Sequence, residues 1–179
     1  IIKNISMSKI DIQDNFLDSQ YCENLKNLFL SNRIGWTYGE VVTDDVYTSD
    51  SNLDNIQFGH MIYDDDSPVS PFYDDLIDFV NKIPVATTCK IKVNMNPRTP
   101  KIIEHGLHTD LPYLCKTGIL YLNTNNGYTV FEDGTKVESV QNRFVSFDSN
   151  IKHSGSTCSN QKVRLVININ YFAPDLHIN

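Results

Sequence analysis

His108, Thr109 and Asp110 place an imidazole and a carboxylate at positions i and i+2. On an extended strand these two side chains leave the same face about 7 Å apart at the backbone, so both can close on one cation. A second imidazole, His153 in Asn150-Ile151-Lys152-His153-Ser154-Gly155, falls between two strand-like runs, one ending near Asp148 and the next starting near Lys162. Two imidazoles and one carboxylate on one face of a metal leave positions open for exogenous ligands, a geometry suited to redox-active non-haem iron. A turn Asp beside a surface His would produce the same short motif with no metal, so the pair decides little alone.

Arg164 narrows the reading. In the run Val163 to Tyr171, one face carries Val163, Leu165, Ile167, Ile169 and Tyr171, and the other Arg164, Val166, Asn168 and Asn170. Neither face has the look of an open, charged surface. A guanidinium there needs an anion, because an unpaired buried charge is strongly destabilising, and its planar fork suits a carboxylate bidentately. The partner is either an internal acid such as Asp148 or the carboxylate of a bound molecule.

The elements that must position these groups are legible in the apolar periodicity. Asp18-Ser19-Gln20 precedes Tyr21, Cys22, Leu25, Leu28 and Phe29, which predicts a capped helix over about 19–32, with Gly35 as its stop. A second helical pattern follows Ser70-Pro71, with Phe72, Leu76, Ile77, Phe79 and Val80 on one side and Pro84 at its end. Between them, Gly39 to Ser70 is rich in Asp, Ser, Asn and Gly and reads as a solvated loop with short strands, or as a mobile lid. From Cys89 onward the period becomes two: Ile91, Val93 and Met95 alternate with Lys90, Lys92, Asn94 and Asn96, and four further runs follow. Asp133-Gly134 marks a tight hairpin. The expectation is a mostly β chain with N-terminal helices, an antiparallel jelly roll with the helices on one sheet. Its helical part covers about 12–85 and its β core about 89–174, in one domain spanning 1–179.

Composition sets outer bounds. Fifteen basic against 22 acidic residues give a net charge of −7, which disfavours nucleic acid as a partner and favours a neutral or cationic substrate. The apolar runs are far too short to cross a bilayer, so no membrane partner is expected. Cys22, Cys89, Cys115 and Cys158 stand far apart with no C-x-x-C pair, so reduced thiols and a cytoplasmic location are expected. The start, Ile1-Ile2-Lys3-Asn4, lacks a signal pattern and an initiating Met and reads as a trimmed fragment.

His108-x-Asp110, His153 and Arg164, behind two helices and within a run of short strands, resemble the 2-oxoglutarate and Fe(II)-dependent dioxygenases, most closely their prolyl-4-hydroxylase-like branch. Gly118-Ile119-Leu120-Tyr121-Leu122-Asn123 is similar to that branch's strand in which a Tyr binds the distal carboxylate of 2-oxoglutarate. Gly127-Tyr128-Thr129-Val130-Phe131 is similar to its Gly-Glu-Thr-x-Phe turn, and Arg164 to Phe172 to its final strand. The resemblance spans about 12–174 and is strongest over 105–172.

The resemblance implies a double-stranded β-helix in which His108, Asp110 and His153 ligate Fe(II). It implies that Arg164 and Tyr121 hold 2-oxoglutarate, with Asn94 and Asn96 as further contacts, and that O2 is the oxidant and ascorbate an optional reductant. The reaction would hydroxylate a C–H bond of a peptidyl (prolyl) substrate, or of a free amino acid or small metabolite, with release of succinate and CO2. Trp36, Tyr38, Tyr113 and the 39–70 loop are the candidate rim. Three departures stand against the family pattern. The interval from Asp110 to His153 is short, Arg164 falls one or two places late, and Asn94-Met95-Asn96-Pro97 lacks the usual aromatic. Glu104-His105-Gly106 leaves His105 as a neighbour of the site or a surface residue. A non-catalytic cupin-like module remains an alternative that would have no need of a buried arginine paired with Tyr121. A zinc hydrolase is another, though it lacks a convincing general base. A halogenase is disfavoured because Asp110 fills the position a halide requires.

Overall fold

The computed structural model describes residues 10–40 and 55–174. Its first long element follows from a side-chain cap: Asp18 Oδ1 accepts from the backbone N–H groups of Gln20 and Tyr21, both at 3.0 Å. Helix α1 (Ser19–Phe29) then buries Cys22, Leu25 and Phe29 on one face. It ends three residues before the expected 32, and Gly35 is not its stop. The Ser31 hydroxyl and N–H both donate to the Leu28 carbonyl, at 2.7 and 3.1 Å, closing the last turn locally. The second helical pattern is split into a 3₁₀ turn (Asp74–Leu76) and a short α2 (Ile77–Lys82). That change of winding buries Leu76 and Phe79 but turns Ile77 outward.

The remaining elements are antiparallel strands. They are β1 (Asp11–Gln13), β2 (Thr37–Glu40), β3 (Ile56–Asp64), β4 (Ser67–Pro68), β5 (Thr87–Pro97) and β6 (Lys116–Tyr121). Then come β7 (Tyr128–Phe131), β8 (Lys136–Glu138), β9 (Phe144–Asp148), β10 (His153–Gly155) and β11 (Val163–Phe172). The larger sheet has the order β1-β9-β6-β11-β5-β3-β2, with β4 paired to β3. The smaller has the order β10-β7-β8. The β7–β8 hairpin turns at Asp133-Gly134, where Gly134 takes φ of 85° and supplies the left-handed residue.

The stretch expected to be a solvated loop is in part sheet. β3 pairs with β5 from Phe58 opposite Met95 to Tyr63 opposite Ile91, with a bulge, and buries Ile62 completely. The short strands expected there include one of nine residues, whose polar Gln57 and His60 are taken up by the protein itself: Gln57 lines a cavity, and His60 bonds the Gly35 carbonyl and the Ser70 hydroxyl. Residues 41–54, and with them the lid expectation, lie outside the described residues. Four strands therefore fall within the part of the chain read as helical.

Two apolar layers result from the alternation. One face of the larger sheet, through Leu120, Ile167 and Ile169, packs on Leu25, Phe29, Leu76 and Phe79 of the helices. The opposite face meets the smaller sheet, where Ile119, Tyr121, Val145, Phe147 and Val166 pack against Phe131 and Val137. Among the described residues no helix is long and apolar enough to cross a membrane.

Candidate active site

A two-residue bridge builds the centre. His108 and His153 face each other antiparallel, each N–H donating to the other's carbonyl at 3.0 Å. This lays the chain before Asp110 alongside β10, and it brings the two imidazole centroids to 4.9 Å. Asp110 itself lies beyond the bridge in irregular chain, so a turn rather than a strand pleat returns its carboxylate to the imidazoles. Its Oδ1 stands 3.6 Å from His108 Nε2 and 3.7 Å from His153 Nε2.

Hydrogen bonds select the tautomers. His108 Nδ1 lies 3.0 Å from the Gly106 carbonyl, and His153 Nδ1 lies 3.3 Å from the Ile151 carbonyl. A carbonyl can only accept, so in the neutral rings the proton sits on Nδ1 and each Nε2 turns a lone pair toward Asp110. Asp110 Oδ2 is meanwhile engaged by Asn170 Nδ2 at 3.1 Å and the Thr117 hydroxyl at 3.4 Å. Oδ1 is left facing two lone pairs. The three ligand atoms lie within 4.8 Å of one another, and three converging acceptors call for a cation. One carboxylate and two neutral imidazoles, with no sulfur, fit a divalent transition metal such as Fe(II).

The electrostatics keep Asp110 ionised. Burial works to raise the Asp110 pKa, but without a metal a protonated His108 that hydrogen-bonds to it, the positive charge of a protonated His153 and the Asn170 amide outweigh burial and hold the carboxyl well below its usual range; a bound cation takes the place of those protons. Burial pushes the His153 pKa down, against the pull of Asp110. His105 is buried rather than on the surface, and desolvation, then Arg164 and His108, depress it to about 4. It accepts from Asn96 Nδ2 at 3.2 Å through Nε2 and donates from Nδ1 to Asn55 Oδ1 at 2.7 Å. It does not join the converging trio.

Arg164 is 3% exposed and sits opposite Asn96 across the β11–β5 ladder. Its Nε donates to the Ser139 hydroxyl at 2.8 Å and its Nη2 to Thr129 Oγ1 at 3.1 Å. No ion pair among the described residues includes it. The internal acid considered for it, Asp148, is taken by Lys116 at 2.6 Å. Gly127 makes room for the arginine stem, since a Cβ there would lie 2.8 Å from Arg164 Cδ. Tyr121 points toward Arg164, whose Cζ is 5.4 Å from the ring centroid, and its hydroxyl donates to Thr129 Oγ1 at 2.7 Å. The phenol is fully buried and is not part of the cavity wall.

A cavity of about 330 Å³ opens on the trio, a size within the usual range for small-molecule sites. Arg164, Asn96 and His105 lie toward one end, and Asn170, Lys90 and Lys92 toward the other. Arg164 and Asn170 are six residues apart on one strand, about 20 Å along it. Asn94 and Asn168 line the wall between, each with a buried Oδ1 that has no hydrogen-bond partner among the described residues. Of the expected rim aromatics, Trp36 packs on the helix-side core, Tyr38 meets Phe58 edge-on and Tyr113 stacks on Phe172. None of the three lines this cavity. Sequence reasoning passed over Thr129, Ser139, Thr117, Asn170, Lys90 and Lys92. The alternation of β5 put the two lysines on one face with Asn94 and Asn96, which was the signal for them.

No protein-family model and no curated protein matches the chain. Solved structures do share its fold. A prolyl hydroxylase from Trichoplax adhaerens, in complex with a peptide fragment of the hypoxia-inducible factor oxygen degradation domain, superposes with a TM-score of 0.59 at 18% identity, over 91% of this chain and 83% of that one. An oxidoreductase of the 2OG-Fe(II) oxygenase family from Burkholderia pseudomallei gives 0.65 at 12% identity, over 91% and 84%. HygX from Streptomyces hygroscopicus, with nickel and 2-oxoglutarate bound, gives 0.58 at 9% identity, over 94% and 84%. The chain thus has the fold of the 2-oxoglutarate and Fe(II)-dependent oxygenases. Within that class the prolyl hydroxylases are among its structural neighbours.

Proposed function

We propose that this protein is a 2-oxoglutarate and Fe(II)-dependent dioxygenase, an oxidoreductase built as one double-stranded β-helix (jelly-roll) domain. It hydroxylates a C–H bond of a peptidyl or amino-acid-like substrate. One oxygen atom of O2 enters the new hydroxyl and the other the succinate left when 2-oxoglutarate loses CO2. The observation that carries this reading is Arg164: a buried guanidinium in a cavity beside three converging metal ligands, with two hydroxyls and the Tyr121 ring as its partners and no carboxylate in an ion pair with it among the described residues. Such a charge is stable when a carboxylate docks on it, and the distal carboxylate of 2-oxoglutarate is of that kind. A cupin-like module would leave the charge without a purpose.

His108, Asp110 and His153 would hold Fe(II), which supplies O2 activation and a coordination seat for the keto-acid end of 2-oxoglutarate. The other residues orient. Thr117 and Asn170 fix the Asp110 carboxylate, while the Gly106 and Ile151 carbonyls keep both imidazoles in the metal-binding tautomer. Ser139 and Thr129 aim the Arg164 fork, and Tyr121 steadies Thr129 from beneath instead of reaching the carboxylate directly. Asn96 lies beside the arginine and offers an amide to the same ligand. The neighbouring prolyl hydroxylase bound to a peptide supports a peptidyl substrate, with prolyl as the first candidate. A cytoplasmic setting remains part of the proposal on the cysteine spacing alone.

Thermal unfolding with Mn(II), a metal that does not turn over, tests the reading. Wild type should be stabilised by Mn(II) and again by 2-oxoglutarate in a concentration-dependent way. Arg164→Ala should keep the first rise and lose the second, a fall in cosubstrate affinity of about 30-fold or more. With Fe(II), O2 and ascorbate, wild type should release succinate when a panel of peptides and amino acids is offered. No response of wild type to 2-oxoglutarate, with Arg164→Ala unfolded outright, would return the arginine to a structural role.

A further inference from the structure

The cavity holds a second cationic station that the cosubstrate reading leaves unused. Lys90 and Lys92 line it from β5, opposite Asn170 and Asn168 of β11, and the tip of Lys92 lies over Gly59, level with Asn94. Among the described residues neither lysine belongs to an ion pair, whereas Lys26, Lys116 and Lys136 each do. Lys92 is seated by its surroundings. It lies over Gly59 of β3, where a Cβ would come within 2.6 Å of its Cε and 3.2 Å of its Nζ. Gly59 leaves open the space that the lysine tip occupies.

The charge count at the cavity gives this station a purpose. Its described walls carry Lys90, Lys92 and Arg164 against one carboxylate, Asp110, and Lys90 also borders a second recess lined by Asp64, Asp65 and Asp66, which leaves Lys92 and Arg164 against Asp110. A divalent metal and doubly charged 2-oxoglutarate cancel each other, so an excess of positive charge remains after both are bound. Two ammonium groups on one face of a strand repel each other when nothing anionic lies between them. Burial and then the nearby Lys90 lower the Lys92 pKa, against a weaker upward pull from Asp110. The overall acidic balance, which led to the expectation of a neutral or cationic substrate, thus runs opposite to the charge inside the site.

We infer that Lys90 and Lys92 bind an anionic group of the substrate, a carboxylate held beside the carbon that is hydroxylated. Within the peptidyl or amino-acid class, this means a free amino acid held by its own carboxylate, or an acidic residue adjoining the target. Asn94 and Asn168 flank the station with carbonyl oxygens available to the donor groups of such a molecule. The inference rests on the oxygenase reading, and its test separates the two.

Wild type saturated with Mn(II) and 2-oxoglutarate is titrated, without O2, with two sets of probes. One set is the free amino acids paired with their carboxamides. The other is N-acetyl-aspartyl-prolinamide paired with N-acetyl-asparaginyl-prolinamide. The melting temperature and calorimetric affinity are read for each. At least one acid should bind about tenfold or more tightly than its amide. The first set responding places the carboxylate on a free amino acid, and the second places it on a neighbouring side chain. Lys92→Met should erase the preference and Lys92→Arg should retain it, with 2-oxoglutarate affinity unchanged in both. No acid preference in a wild type that binds 2-oxoglutarate overturns the inference and leaves the oxygenase reading standing. Loss of 2-oxoglutarate affinity in Lys92→Met comparable to that in Arg164→Ala also overturns it, because Lys92 would then anchor the cosubstrate. A wild type that fails to bind 2-oxoglutarate overturns both.

Discussion

Asp110 keeps its two carboxylate oxygens in different company. Oδ2 takes donors from Asn170 and Thr117, while Oδ1 stands 3.6 and 3.7 Å from the two imidazole Nε2 atoms. Asp110→Asn should therefore separate folding from metal binding. The new amide can donate to His108 or His153, so the metal-free melting temperature should hold or rise, while the rise on adding Mn(II) should vanish. A metal-dependent rise that survived would place the ion elsewhere. His105 offers a test by pH. Its folded pKa of about 4 lies below the ordinary histidine value of 6.5, so the unfolded chain takes up the proton first. The corresponding stability is present above pH 6.5 and is lost as pH falls toward 4, about 3 kcal/mol in all. His105→Gln, which can still bridge Asn96 and Asn55, should flatten that part of the stability curve measured by urea unfolding.

At the scale of elements, β6 and β11 divide the molecule's apolar content between two layers, and Gly118 shows how tight the helix-side layer is. A Cβ at Gly118 would fall 2.6 Å from Phe144 Cζ and 3.0 Å from Ile169 Cγ2. Phe144 cannot easily retreat, because it stacks on Phe16 at 4.5 Å and meets Phe79 edge-on at 6.0 Å. Gly118→Ala should cost about 1–3 kcal/mol, read as a lower urea midpoint with an unchanged slope. Metal binding should survive, since Gly118 faces away from the cavity side of its strand. The same division explains Tyr121. One residue along from Leu120, it leaves the helix layer and enters the layer between the sheets, where it meets Thr129 and Arg164.

For the molecule as a whole, ligands and fold share one free energy. Metal at about a hundred times its dissociation constant should add about 2.7 kcal/mol of stability, which for a chain of this size is roughly 5–10 °C in melting temperature. EDTA should reverse the rise and, with it, any further rise from 2-oxoglutarate. The trio joins chain around 108–110 to β10, and Arg164 joins β11 to β7 and the chain after β8. Occupying both stations therefore ties the two sheets together. A rise from 2-oxoglutarate that persisted in EDTA would show that the acid binds Arg164 without help from the metal.

The amino-acid sequence determined what adjacent residues can specify. Asp18 and the spacing of Cys22, Leu25 and Phe29 announced α1, and the two-residue period after Cys89 announced the strands. The apolar setting of Arg164 announced a buried charge in need of an anion, and His108, Asp110 and His153 were legible as a donor set. Tertiary structure decided what depends on distant chain. Asp148 goes to Lys116 because β9 and β6 align them, which leaves Arg164 with hydroxyls and the Tyr121 ring and no ion pair among the described residues. Asp110 reaches the imidazoles through a turn, and two backbone carbonyls choose the tautomers. β3 belongs to the sheet although its polar residues read as loop, and Lys90 and Lys92 face a cavity rather than solvent because β3 and β11 flank β5. A periodic pattern states which residues share a face. It does not state which face another strand will cover, and burial, charge pairing and convergence are all set by that covering.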